Sequence, residues 1–145
     1  MKISTKGRYA LRMLVDLAGR PGEEYTALKD IAKRQGISKK YLEQIVPVLN
    51  RAGILLTNRG FQGGYRLARS PESITAGEVL RLTEGSLAPA DCVATAVNTC
   101  PRKEECATLE VWQGLAKVIN DYLDKITLQQ ILDDQRKLDE FDYVI

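Results

Sequence analysis

Three cysteines, Cys92, Cys100 and Cys106, fall within one polar stretch of this 145-residue chain, spaced C-x7-C-x5-C. Cysteines grouped in this way serve as metal ligands, as redox-active thiols, or as small apolar side chains. Zinc ligands usually come as cysteine pairs about two to four residues apart, and no such pair is present. The chain contains no histidine. Iron in a sulfide cluster favours thiolates but accepts oxygen, which makes Asp91, Glu104, Glu105, Glu110 or a residue of a second chain candidates for a fourth ligand. Cys106 stands near a helix start, a position that favours the thiolate. On residue chemistry alone, iron–sulfur ligation, a thiol redox switch, zinc and inert thiols all remain open.

A second set of residues suits nucleic acid. Residues 1–66 carry 13 Lys and Arg against 5 Asp and Glu, whereas residues 67–145 carry 8 against 14. The basic half suits a polyanion whatever its base sequence, and the acidic half does not. On a helix, Lys40, Glu43, Gln44 and Pro47 share one face, opposite Leu42, Ile45 and Leu49. In a major groove Glu43 can accept from cytosine N4, Gln44 can pair with adenine, and Lys40 can reach guanine or phosphate. Arg59, in the glycine-rich segment 58–64, suits a narrow minor groove. Lys6, Arg8, Lys39 and Arg51 are phosphate candidates, which set salt dependence rather than specificity.

The elements that must hold these side chains can be read from caps and periodicity. Ser4 or Thr5 opens a first helix, with Ala10, Leu11, Leu14, Leu17 and Ala18 on one stripe, and Gly19-Arg20-Pro21-Gly22 ends it. Thr26 is expected to cap a short second helix that Gly36 breaks. Ser38 caps a third, running to about Arg51 and closed by Gly53, with Pro47 expected to bend or interrupt it. Short helix, glycine turn and second helix form a helix-turn-helix. Strands at 54–57 and 65–68, joined by the glycine-rich segment, form a wing. Thr75-Ala76-Gly77-Glu78 is a capping box for a fourth helix ending near Glu84. After an irregular stretch to Cys106, Leu109, Trp112, Ala116, Ile119, Leu123 and Ile126 recur at heptad-like spacing on a long helix, widened by Leu115 and Tyr122. Thr127 can cap a short restart, and the acidic tail beyond it has no readable pattern.

The fold class is therefore mostly α with a small β wing: a winged helix-turn-helix plus a long C-terminal dimerisation helix. Its expected division is 1–84 for DNA binding, 85–106 for a cysteine-bearing sensor loop, and 107–145 for the dimerisation helix and tail. Pairing of that helix in a two-fold homodimer matches palindromic double-stranded DNA. An enzyme is not expected, because no histidine is available as base and no nucleophile has an evident helper. No secretory leader and no apolar run of roughly 18 residues is present, so a cytoplasmic protein without membrane contact is expected.

The stretches MKISTKGRYALRMLVDLA, GISKKYLEQIVPVLNRAGIL and NRGFQGGYRLA resemble the winged-helix regulator family that includes IscR, NsrR and CymR, with similarity over roughly residues 1–130. That resemblance implies a homodimeric repressor of palindromes, with Lys40, Tyr41, Glu43 and Gln44 on the recognition helix and Arg59 on the wing. It further implies that Cys92, Cys100 and Cys106 hold a [2Fe–2S] cluster as in IscR-like members, with [4Fe–4S] as in NsrR-like members the alternative. Control of cluster biogenesis genes follows from the first, nitric-oxide or redox sensing from the second. CymR-like members lack the three-cysteine set and respond through a partner protein of cysteine metabolism. Two positions depart from the pattern: Leu109 stands where IscR-like members place a histidine, and Arg8 where NsrR-like members place an aspartate.

Overall fold

A computed structural model describes residues 1–20 and 22–144. Six helices and one hairpin run in the order α1 (Thr5–Ala18), α2 (Leu28–Gln35), α3 (Lys39–Arg51), β1 (Leu55–Asn58), β2 (Gly64–Leu67), α4 (Ala76–Glu84), α5 (Leu109–Lys125) and α6 (Leu128–Val144). The architecture is the expected mostly helical one with a two-stranded wing and a long helix beyond it.

Local chemistry accounts for most boundaries. Ser4 Oγ accepts from the Gly7 N–H, Ser38 Oγ from Tyr41, Thr75 Oγ1 from Glu78 and Thr127 Oγ1 from Gln130, so four helices start on side-chain caps. Gly36 ends α2 with φ at 62°, a left-handed turn that glycine adopts without steric cost. Pro47 does not interrupt α3, which is continuous from Lys39 to Arg51. Proline does remove the N–H that would reach the Glu43 carbonyl. Both residues are exposed, so water can take that role.

Thr26 does not cap α2. Its N–H donates to the Tyr65 carbonyl at 2.9 Å and its carbonyl accepts from the Tyr65 N–H at 2.8 Å. The backbone is thus held extended against β2, and α2 begins behind Ala27 with no side-chain cap. The strands also lie one residue from their expected limits, at 55 to 58 on one side and 64 to 67 on the other. Glu78 supplies only half a capping box: its carboxylate turns to Arg69, at 2.6 Å.

The core is built from Met13, Leu14 and Leu17 of α1, Ile31 of α2, Leu42, Ile45 and Leu49 of α3, then Ile54, Leu55, Ile74 and Val79. Two further members were not expected from sequence. Leu128 and Leu132 of α6 are buried in the same cluster, and α6 lies along α1. The tail is a 17-residue helix that returns to the DNA-binding half. Its entry is fixed by backbone pairing, Ala76 N–H to Ile126 at 2.8 Å and Leu128 N–H to Ile74 at 2.9 Å.

Between these anchors α5 lies beside α4. Arg81 grips Asp124 with two nitrogens, at 2.7 and 2.9 Å, and reaches Asn120 at 2.7 Å. Leu109, Ala116, Ile119, Leu123 and Ile126 are half-buried, while Val111, Leu115, Val118 and Tyr122 form an exposed apolar row. The expected stripe therefore splits. Trp112 sits at its margin, and Val111 and Val118 belong to the open face.

Candidate nucleic-acid interface and cysteine loop

The side chains assigned to base contact gather on one surface. Lys40, Glu43, Gln44 and Pro47 are all exposed on α3. Opposite them the wing carries Arg59, also exposed. A groove of about 640 Å³ lies between helix and wing, and both Glu43 and Arg59 line it. Its floor is Val46, Pro47, Asn50 and Tyr65. The Thr57 hydroxyl donates to Asn50 Oδ1 at 3.0 Å and ties wing to helix. That tie was absent from the sequence reading, since nothing in the spacing of Asn50 and Thr57 marks them as partners. The wing itself is stiffened by its ladder and by the Gly63 N–H to Gly60 carbonyl bond at 2.9 Å. At its tip Phe61 is 98% exposed.

Tyr41 is half-buried rather than free on the surface. Its ring meets Tyr9 edge-on at 5.3 Å, and Arg12 lies over the Tyr9 ring. Lys39 sits 3.8 Å from Glu43 in an exposed ion pair worth well under ~1 kcal/mol. Both charges are therefore available to a stronger partner. Arg51 occupies the last turn of α3, where its charge complements the helix dipole. Lys6 and Arg8 lie on the first two turns of α1, with Arg8 donating to Thr5 at 3.1 Å.

That first turn is held from across the molecule. The Ser4 N–H and hydroxyl both donate to Glu84 Oε1, at 3.1 and 2.5 Å. Gly7 leaves room for this contact: a Cβ at that position would fall on the same carboxylate oxygen and push the Glu84 side chain aside. Glu84 is the last residue of α4, immediately before the segment that carries the cysteines. A second clamp joins α1 to α2. Arg34 reaches both oxygens of Asp16, at 2.6 and 3.0 Å, and Gln35 donates at 3.0 Å. Burial pushes the Asp16 carboxyl up, but those hydrogen bonds and the charges of Arg34 and Arg20 outweigh it and hold it below the ordinary carboxylate value.

The cysteine loop runs from Gly85 to Thr108, with single 3-10 turns at Asp91–Val93 and Lys103–Glu105. Leu87 anchors it by burial, and the turn at 91–93 packs on α5. Cys92 is half-buried there, while Cys100 and Cys106 are exposed, and all three are free thiols. The sequence expectation that they converge is not met. Among the described residues, no three Cys, Asp or Glu side chains come together round one point where a metal could sit. Asp91, Glu104, Glu105 and Glu110 all point to solvent as exposed side chains. Cys106 is distinctive in another way. The Thr108 hydroxyl, 3.4 Å from its sulfur, and the N–H groups of Thr108 and Leu109 hold its thiol below the ordinary range.

Among the described residues no helix is long and apolar enough to cross a membrane. Comparison with known proteins matches residues 3–134 to Rrf2, described as an iron-dependent transcriptional regulator. The regulator CymR of Bacillus subtilis is 40% identical over 131 residues, which cover 90% of this chain and 89% of that protein. Its solved structure superposes with a TM-score of 0.75 at 36% identity, covering 92% of this chain and 97% of the other. Protein rrf2 of Nitratidesulfovibrio vulgaris is 40% identical over 134 residues, 92% of this chain and 89% of that one. The solved structure of T. potens IscR gives a TM-score of 0.72 at 38% identity, covering 93% and 88%.

Proposed function

The chain belongs to the Rrf2 family of DNA-binding transcriptional regulators, which are not enzymes, and on that premise we propose that it acts as a homodimeric repressor of palindromic operators, switched through the loop bearing Cys92, Cys100 and Cys106. The observation that carries the reading is the groove shared by α3 and the wing, with Glu43 on one wall and Arg59 on the other. It supports a division of labour in which Lys40, Glu43 and Gln44 meet base edges in the major groove while Arg59 enters the adjacent minor groove. Lys6, Arg8, Lys39 and Arg51 then meet phosphates, and Tyr41 braces the helix against α1.

The exposed row Val111, Leu115, Val118 and Tyr122 supports pairing of α5 with its copy. Repeats of this kind, open to water in one chain, are what a two-fold helix pair buries. Dimerisation also sets the spacing of the two recognition helices, which a palindrome requires.

For the switch, the arrangement described does not fit an iron–sulfur cluster, because its thiols are dispersed. It fits a thiol-responsive loop better. Cys106 is exposed, leans toward the thiolate, and sits at the entrance to α5. The B. subtilis relative is described as the global cysteine regulator of that organism. For this chain, that likeness supports control of sulfur or redox genes, through these thiols or through a partner protein docked on the acidic half. Cluster sensing is the second reading, supported by three cysteines in one loop and the family's iron-dependent description.

Two measurements test the scheme. Anisotropy titrations should show Gln44→Ala weakening specific DNA by about 1–3 kcal/mol and random DNA little, with Lys39→Ala weakening both. Equal losses on both DNAs for both variants would contradict the assigned roles. Anaerobic purification with iron and sulfide quantitation, then operator binding before and after peroxide, separates the two switches. Stoichiometric iron and sulfide would displace the thiol reading. Peroxide-sensitive binding of iron-free protein, lost in Cys106→Ser, would support it.

A further inference from the structure

A second cavity lies at the base of the wing, away from the groove shared by α3 and Arg59. It encloses about 250 Å³ between the end of α1, the segment leading into α2, and β2. Leu17 and Leu67 supply its apolar side, and Arg20, Arg66, Arg69 and Glu24 its charged side. Three arginines round one small hollow repel one another unless anions are present. Among the described residues, Arg69 alone of the three has an ion-pair partner, Glu78 at 2.6 Å. Arg20 and Arg66 reach no carboxylate within ion-pair distance among the described residues.

Arg66 is held in place without being satisfied. Its guanidinium lies over the Tyr25 ring, 5.1 Å from the centroid, which fixes its orientation. Its Nε is closed off from the cavity and has no hydrogen-bond acceptor among the described residues, so an incoming anion would meet the rest of the guanidinium, whose charge has no ion-pair partner. We propose that this cavity is a binding site for a small organic acid, whose carboxylate pairs with Arg66 and Arg20 and whose short apolar tail rests on Leu17 and Leu67. Glu24 on the rim disfavours multiply charged anions and so selects a monocarboxylate over phosphate. The proposal does not depend on the thiol switch or on the operator. It does give the molecule a second input: β2, which forms one wall, continues into the wing, and Thr26, another wall residue, is paired to Tyr65.

The test uses the full chain, with butyrate as probe and inorganic phosphate and chloride at matched ionic strength as comparisons. Calorimetric titration and thermal unfolding are the readouts, and neither requires DNA. Butyrate should bind and raise the unfolding midpoint beyond chloride. Arg66→Gln, and separately Arg20→Gln, should weaken that binding by about tenfold or more, as expected for loss of a charge-assisted bond. Arg136→Gln, a change at an exposed position of α6, should leave butyrate binding unchanged. Matching circular dichroism and unliganded midpoints establish that the variants fold. No response to butyrate beyond chloride overturns the site. An undiminished response in both arginine variants overturns it equally, and a phosphate response as large as butyrate's overturns the carboxylate assignment.

Discussion

Glu84 gives the sharpest test of the proposed coupling between the cysteine loop and DNA binding. Its single oxygen receives the Ser4 N–H at 3.1 Å and the Ser4 hydroxyl at 2.5 Å, and thereby fixes the first turn of α1. Hydrogen bonds to a charged group contribute about 1.5–3 kcal/mol in favourable settings. This site is only partly buried, so the lower end applies, and Glu84→Ala should cost about 1.5–2 kcal/mol, shared between the two bonds. Glu84→Gln keeps an acceptor and loses the charge, so it should cost about half as much. The loss should also reach function, because Lys6 and Arg8 ride on the released turn. If both drop their phosphates, the slope of log affinity against log salt becomes shallower by about 1.8. Base selectivity through Gln44 should be untouched. The assay is urea unfolding beside anisotropy titrations on operator and random DNA over a salt series. An alanine variant with wild-type unfolding midpoint and wild-type salt slope would refute the coupling outright.

Other outcomes are expected from the same structure. Leu128→Ala should destabilise the protein by about 2–5 kcal/mol in urea unfolding, because that side chain is fully buried in the core. The same substitution at exposed Leu138 should be within about 0.5 kcal/mol of wild type. Asp16 has a folded-state pKa below its unfolded one, so its contribution is present above the ordinary carboxylate value near ~3.9 and is lost as pH falls through the depressed value. Unfolding midpoints of wild type and Asp16→Asn should therefore differ at neutral pH and converge in acid. Cys106 should alkylate faster than Cys100 at neutral pH, and Thr108→Val should remove part of the advantage, as read by mass spectrometry of quenched samples.

Much of the reading half was legible in sequence because its signals are local. Ser38, Gly36 and Thr75 act within one turn of where they stand, and the outward set Lys40, Glu43, Gln44 and Pro47 follows from helical periodicity alone. Thr26 misled because a threonine ahead of an apolar helix looks like a cap, while the competing claim on its backbone comes from Tyr65, far along the chain. The tail resisted for a related reason: among the described side chains of α6 the apolar ones that face inward are Leu128, Ile131 and Leu132 alone, too few to mark a pattern. The cysteines illustrate the limit of spacing. Seven and five intervening residues permit convergence but do not impose it, and this loop takes its course from Leu87 and the packing on α5 instead. Glu84 and Ser4 were invisible as partners, standing 80 positions apart.

The backbone pairing of 74–76 with 126–128 has a mechanical consequence. It pins the far end of α5 to the body, while the near end is joined through the long loop. A helix of this length, about 25 Å, held at its Ile126 end would act as a lever for any displacement of the loop end. In the proposed two-fold pair each rod would tilt with its mate, so the angular change between the two bodies would be double the change within either. Modest chemistry at a thiol would thus be magnified geometrically in the proposed switch.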